Sequence, residues 1–376
     1  MNTLLLMLTL APLTAQRPDT AFFITRLGKD TLAIERFTFD GRVLEGVSVV
    51  RSPNVWVRRY RGVFGAAGVE SLTVAAGPAG SPARQVTIYR YTDDTLVTEN
   101  RRDTTTRRER VAIRGRPLPF APDILGPWQI ALQGVHPAAT GDPQVSLLAG
   151  NAAIHYDIHR GGRDTLHLLI DDRDYGPLVA RMDGAGRLQS LDLRATTDKF
   201  LAERVSGLDV DSMTAVYAAR EKAGAGMGAL SPRDTARATV GDAHVQIDYG
   251  RPMRRGRTIF GNVVPWDTVW RTGANQATQL MTDKDLVIGG TTVPAGTYSL
   301  FTIPSPKGWQ LIVNKQHGQW GTDYDSKQDL ARISMTVRRM TPAVEQLRIS
   351  IRDNRRASQL AVAWEETEAL VEVKAR

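Results

Sequence analysis

The chain has 376 residues and a formal charge of +8, with a pI near 9.8. That length fits two domains of ordinary size, and 42% hydrophobic residues are enough for each to bury a core. There is no cysteine, which excludes disulfides, thiolate metal sites, a cysteine nucleophile and a lipid-modified cysteine anchor.

Forty of the 48 cations are arginine, with pairs at Arg107-Arg108, Arg254-Arg255, Arg338-Arg339 and Arg355-Arg356. These pairs are scattered among acids and read as solvated strand faces. A basic surface also favours anionic partners such as lipid headgroups or acidic polysaccharide.

Residues 4–13 are almost wholly apolar, and Leu13-Thr14-Ala15 places small residues before Gln16. This is the layout of a signal peptide over 1–15, too short to span a bilayer. The expected product is exported, periplasmic or secreted. It has no transmembrane segment in its mature part, and nucleic acid is not an expected partner.

Residues 16–208 read as a curved antiparallel sheet. Strands are expected over 22–26, 31–39, 43–50, 55–60, 71–75, 85–91, 95–100 and 107–113, and again over 152–158, 165–170, 178–182 and 188–195. Val86, Ile88 and Arg90 alternate with Thr87, Tyr89 and Tyr91, the period of a strand. Between the two runs the pattern breaks over 119–133, and the run 124–132 suggests a helix or helical turn interrupted at Pro127.

Residues 209–230 read as a helix followed by a flexible Gly/Ala linker. Asp211 or Ser212 can cap the helix, and Met213, Val216, Tyr217 and Arg220 share a face. Residues 231–376 then show shorter strands and denser turns, as in an antiparallel β-sandwich, jelly-roll-like. Strands are expected over 243–249, 278–282, 286–288, 296–303, 309–314, 331–337, 346–352, 359–365 and 370–374, with 231–234 as an entry turn. The fold class is all-β.

Several segments of the second half carry a family likeness. They are Tyr249-Gly250-Arg251-Pro252, residues 256–261, Val264-Pro265-Trp266, residues 269–278, residues 294–301, Asn314-Lys315, Trp320-Gly321 and Tyr324-Asp325. Together they make residues 231–375 resemble domain of unknown function 2911. The resemblance implies a secreted or envelope-associated bacterial protein and brings no assigned activity. The strand pattern of the first half resembles curved-sheet, lipoprotein-carrier-like periplasmic folds.

The leading candidate site is the segment from Trp270 to Thr278. Gly273 permits positive φ, Arg271 offers a fork for carboxylate, phosphate or sugar hydroxyls, and Asn275 both donates and accepts. The alternative is a structural corner whose polar groups satisfy loop carbonyls. Trp320, Tyr324 and Asp325, with His317 nearby, form a second polar-aromatic group suited to carbohydrate, or a loop packed by its own rings, and Lys315 is a further candidate to converge on the same site.

His155, Asp157 and His159 share a strand face, but the two imidazoles stand about 13 Å apart, too far for one metal. A three-residue turn at 161–163 would set His167 opposite Asp157 as a weak metal pair, whereas a two-residue turn would pair His167 with Tyr156. No cofactor is expected. There is no Gly-rich phosphate loop, nucleophile elbow or His-Glu-x-x-His helix. The expected function is non-catalytic binding of a glycan or lipid headgroup at the cell envelope. The alternatives are a hydrolase using the same loops and lipid carriage by the first sheet.

Overall fold

The computed structural model describes residues 19–119, 121, 123–135, 143–170, 176–353 and 358–376, so the leader-like segment 1–15 lies outside the described residues. Among the described residues the chain builds two antiparallel sheets and two short α-helices, an all-β protein.

The first sheet starts as a meander: β1 (Asp19–Leu27), β2 (Asp30–Phe39), β3 (Val43–Val50), β4 (Trp56–Gly65), β5 (Gly68–Pro78), β6 (Gln85–Thr92), β7 (Thr95–Arg102) and β8 (Thr105–Ala112). In β1 the residues Ala21, Phe23, Thr25 and Leu27 are buried and their neighbours are not, the period-two pattern of a strand with one face on the core. After β9 (Leu118–Pro119) the chain forms α1 (Leu125–Gln133). It returns through β10 (Gln144–Ala149), β11 (Ala152–Arg160), β12 (Thr165–Leu169), β13 (Leu178–Met182), β14 (Leu188–Asp192) and β15 (Leu201–Val205).

β15 pairs with β1, which joins both runs into fifteen strands ordered from β8 through β1 and β15 to β9. The sheet curls around α1. Leu125, Trp128 and Leu132 of the helix are buried in one cluster with Phe23, Phe37, Leu96, Leu147 and Leu191 from across the sheet. The far strands approach one another, since Thr98 Oγ1 of β7 donates to Asn151 Oδ1 beside β11 at 3.3 Å.

Helix α2 (Val210–Lys222) follows, capped by Asp209, whose carboxylate accepts from Ser212 N at 3.0 Å and from its hydroxyl. The expected cap is Asp211 or Ser212, but the cap lies two residues before Asp211, where Asp209 still has non-helical backbone. Val210 and Tyr217 are buried against Ile34, Val49 and Val57. Val216 is 50% exposed, so the buried stripe does not include it.

The helix ends in a Schellman motif: Gly224 is left-handed, its N–H donates to Glu221 O, and Ala225 N donates to Arg220 O. The segment expected to be a flexible linker is also tied to the first sheet, where Ser52 Oγ donates to Gly228 O at 3.0 Å.

The second sheet has nine strands: β16 (Arg233–Val240), β17 (Ala243–Gly250), β18 (Thr278–Thr282), β19 (Leu286–Ile288), β20 (Thr291–Val293), β21 (Gly296–Ile303), β22 (Trp309–Asn314), β23 (Asp329–Asp353) and β24 (Ser358–Ala375). Their spatial order is a meander broken once, where the β19–β20 hairpin crosses to pair with β24. The strands expected separately over 331–337 and 346–352 are one, β23. Its register shifts between Arg339 and Arg348 bend the strand without ending it. That bend carries the sheet back over itself around a core that includes Leu280, Trp309, Leu347 and Trp364. β16 begins at Arg233, inside the stretch 231–234 expected as an entry turn.

The halves meet at two turns. Lys29 N donates to Arg255 O at 3.0 Å, and Arg255 pairs with Asp30 at 2.5 Å. Gly28 has φ +61, and a Cβ there would sit 2.3 Å from Arg255 O, so only glycine fits this approach.

Candidate functional site

The long connection from β17 to β18 carries the leading candidate segment. Trp270 exchanges both backbone hydrogen bonds with Thr302 of β21, which fixes the start of the loop on the sheet. Its ring stacks on Trp364 with centroids 6.0 Å apart and meets Phe260 edge-on, and its indole N–H donates to Gly273 O. The expected use of Gly273 for positive φ is corrected: Thr272 (φ 51) and Asn275 (φ 65) hold the left-handed positions. Gly273 instead sits close to Gly250, where a Cβ would come within 3.1 Å of the Gly250 carbonyl oxygen.

Arg271 is placed by a neighbouring loop. Gly321 N donates to Asn275 O at 2.9 Å, and a Cβ on Gly321 would sit 2.1 Å from Arg271 Cδ. The bare backbone at Gly321 therefore makes room for the Arg271 stem. Neither the Arg271 guanidinium nor the Asn275 amide has a hydrogen-bond or ion-pair partner among the described residues.

Trp270, Arg271, Asn275 and Tyr324 line a cleft of about 740 Å³ between the two halves, within the range of small-molecule sites. The first half contributes Leu27, Ser52 and the turn from Ala195 to Lys199, and the second contributes Arg257, Val264 and Trp364. Two other concavities, of about 660 and 620 Å³, are each lined by residues of one half: the first by Arg237, His244 and Met281, the second by Arg36, Tyr60 and Asp211.

Three cations, Lys199, Arg257 and Arg271, share the cleft lining with one carboxylate, Asp198, leaving a net +2. Burial, then the charges of Arg271 and Arg257, hold the Lys199 ammonium below its ordinary range. Burial likewise lowers Arg271, and burial followed by the charge of Arg255 lowers Arg257. Arg257 already donates to the carbonyls of Arg254 and Met253, so it adds charge to the cleft more than free donors.

The remaining sequence candidates lie elsewhere or serve the loops. Thr278 is fully buried and donates to Thr272 O. Lys315 is exposed and outside the cleft lining. Trp320 is 50% exposed and pairs by backbone with Gln276, beside the cleft but not in its wall. Asp325 caps the short turn Ser326–Gln328 by accepting from Lys327 N. The Tyr324 hydroxyl donates to Asp329 at 2.7 Å, and burial together with that bond pushes it up to about 12.

The weak metal pair is corrected by the strand register. β11 and β12 set His167 opposite His159 and Asp157 opposite Leu169, so Asp157 and His167 are two residues out of register. Asp157 instead accepts from Gln144. Among the described residues no cluster of three or more His, Asp or Glu side chains can hold a metal ion.

Lys199, Arg257 and Trp364 were not singled out from sequence. Lys199 belongs to a turn whose neighbour is set by how the two halves dock, and no local pattern encodes that.

Fold and site together define the second half as a self-covering β module whose exposed loops wall one side of a basic, aromatic cleft. Residues 231–373 match the family described as Protein of unknown function (DUF2911), the likeness already visible in its motifs. A comparison with curated proteins finds no match.

Proposed function

We propose that the protein binds a polar or amphiphilic small molecule in the cleft between its two halves, without chemically altering it, at the bacterial cell envelope. The observation that carries this reading is the convergence of Trp270, Arg271 and Asn275 on one hollow of about 740 Å³, with neither the guanidinium nor the amide bonded to any of the described residues. Such a site offers a ring face for an apolar or sugar surface and unsatisfied donors for polar groups.

Binding is favoured over hydrolysis because the described lining sets a ring face and three cations against a single candidate carboxylate base, Asp198. The cleft is favoured over the first sheet as carrier because the concave face of that sheet is occupied by its own helix. The envelope location rests on the apolar stretch 4–13 and its small-residue boundary.

The test is a tryptophan-fluorescence titration of the purified full chain with octyl glucoside below its micelle concentration and with a neutral disaccharide. The reading expects a saturable change for at least one of them, abolished by Ala229→Trp, which fills the cleft from an exposed lining position. Signals that never saturate, or that survive Ala229→Trp unchanged, would overturn it.

A further inference from the structure

Lys199 and Arg271 come from different halves of the molecule, yet they face the same hollow. Arg271 stands in the loop before β18, with its stem held over Gly321. Lys199 stands in the turn between β14 and β15, where it has left-handed backbone (φ 63) and its N–H donates to Leu193 O. Neither side chain has a hydrogen-bond or ion-pair partner among the described residues. Elsewhere carboxylates gather cations around them. Glu99 draws in Arg90, Arg101 and Arg108, Glu368 draws in Arg338 and Arg352, and Arg255 takes Asp30. Lys199 and Arg271 are half-buried yet have no such carboxylate partner among the described residues.

Their proximity has an energetic cost. Burial and mutual repulsion both disfavour the charged forms, which is the sense in which Lys199 is depressed. Arg257 strengthens the same positive field from behind, with its own donors spent on carbonyls. An anion seated between the two side chains removes the repulsion and supplies acceptors to both. A planar guanidinium and a rotating ammonium, approaching from opposite walls, suit a group with several acceptor oxygens.

Resting on the cleft as the ligand site, we infer that the ligand carries a phosphate group, held between Lys199 of the first half and Arg271 of the second, with Asn275 donating beside it and Trp270 covering its apolar part. The ligand thereby bridges the two halves. A soluble phosphate ester and the headgroup of a phospholipid present the same chemistry.

The experiment uses the purified full chain and three phosphate probes: inorganic phosphate, sn-glycerol 3-phosphate and phosphatidylglycerol vesicles. Calorimetric titration should show saturable binding of the two soluble probes that weakens with added salt. Lys199→Gln and Arg271→Gln should each weaken it by roughly tenfold or more, while Lys199→Arg and Arg271→Lys retain part of it. Circular dichroism and thermal unfolding confirm that each variant is folded. Lys199 sits in a half-exposed turn, so its substitution keeps the test open if the Arg271 variants unfold.

Co-sedimentation with vesicles, blocked by Ala229→Trp, would name the source as a lipid headgroup. Binding of the soluble esters alone would name a free phosphate ester. Either result supports the phosphate site. Equal affinity for acetate, or phosphate binding indifferent to both Gln substitutions, would overturn the inference. Octyl glucoside binding that Ala229→Trp blocks, with no phosphate binding, would overturn it while the wider cleft reading stands. Failure of every probe would overturn both.

Discussion

The two halves solve one problem differently. Each is a large antiparallel sheet with an apolar face that must be covered. The first covers its face with α1, and the second bends β23 and folds back on itself. A helix inside a sheet brings a buried N-terminus, whose first N–H groups lack partners. The cap position of α1 is Ile124, whose apolar side chain cannot accept a hydrogen bond. Glu35 of β2 supplies the acceptors: Leu125 N donates to it at 2.6 Å and Gly126 N at 3.3 Å, while the Tyr60 hydroxyl also donates. Nearby, Ser48 Oγ donates to Asp123 O, and Arg58 pairs with the Asp123 side chain.

Among the described residues the second half has no such helix and needs no such lock. Its interior is closed by Phe260, Trp270, Trp309 and Trp364 in mutual ring contact. The difference bears on function. The aromatic core of the second half runs out to the surface at Trp270 and Trp364 and becomes one wall of the cleft. The first half gives the cleft only turns and strand ends.

If α1 is the filler of the first sheet, removing its largest side chain should have the largest effect. Trp128 is 1% exposed and meets Tyr156 with ring centroids 5.7 Å apart. Trp128→Ala should cost about 3–5 kcal/mol in urea unfolding followed by circular dichroism. A loss below about 1 kcal/mol would mean that the strands cover one another without the helix and that the comparison is wrong.

The lock should show in pH. Burial pushes Glu35 to about 8 from 4.5, against the opposing hydrogen bonds of Tyr60, Leu125 and Gly126, and the charge of Asp123 adds to the rise. Between those values the folded chain holds a proton that the unfolded chain has released. The contribution of Glu35 is therefore fully present below about 4.5 and is lost as pH rises through 8. Within that window stability should fall by up to about 1.4 kcal/mol per pH unit from this group. Glu35→Gln should flatten the decline in melting temperature while costing about 1–3 kcal/mol for a helix N–H left unmatched. An unchanged pH profile in Glu35→Gln would remove the lock from the comparison.

The sequence was most readable where short apolar runs are bounded by turn residues. The strands over 278–282, 286–288, 296–303 and 309–314 fall at the expected bounds, set by apolar runs closed by turn residues. It was least readable where polar residues fill a strand, as in β16, or where a bend imitates an end, as between Arg339 and Arg348. Trp270, Arg271 and Asn275 could be found because one loop holds them all. Lys199 could not, because its place beside Arg271 depends on the docking of two sheets.

That docking can be tested by itself. Gly28→Ala places a Cβ against Arg255 O in a left-handed turn. The backbone conformation alone should cost about 1–2 kcal/mol. The expected signature is separation of one unfolding transition into two, resolved by calorimetry, with weakened ligand binding in the cleft. A single, merely shifted transition with intact binding would mean that the halves are coupled elsewhere.

The smallest effect is expected at α2, which lies against the first sheet with only Val210 and Tyr217 buried. A helix with so little packing depends more on its ends than α1 does. Asp209→Ala removes the acceptor of Ser212 N and of its hydroxyl, and should cost about 1 kcal/mol. The loss should appear as faster amide exchange in residues 210–213 while α1 stays protected. Fraying there leaves the Schellman motif at the far end and the Ser52 tie to Gly228 in place, so the cleft should keep its affinity. Loss of cleft binding in this variant would show that α2 holds the two walls in register, and would shift the coupling of the halves from the Gly28 turn to the helix.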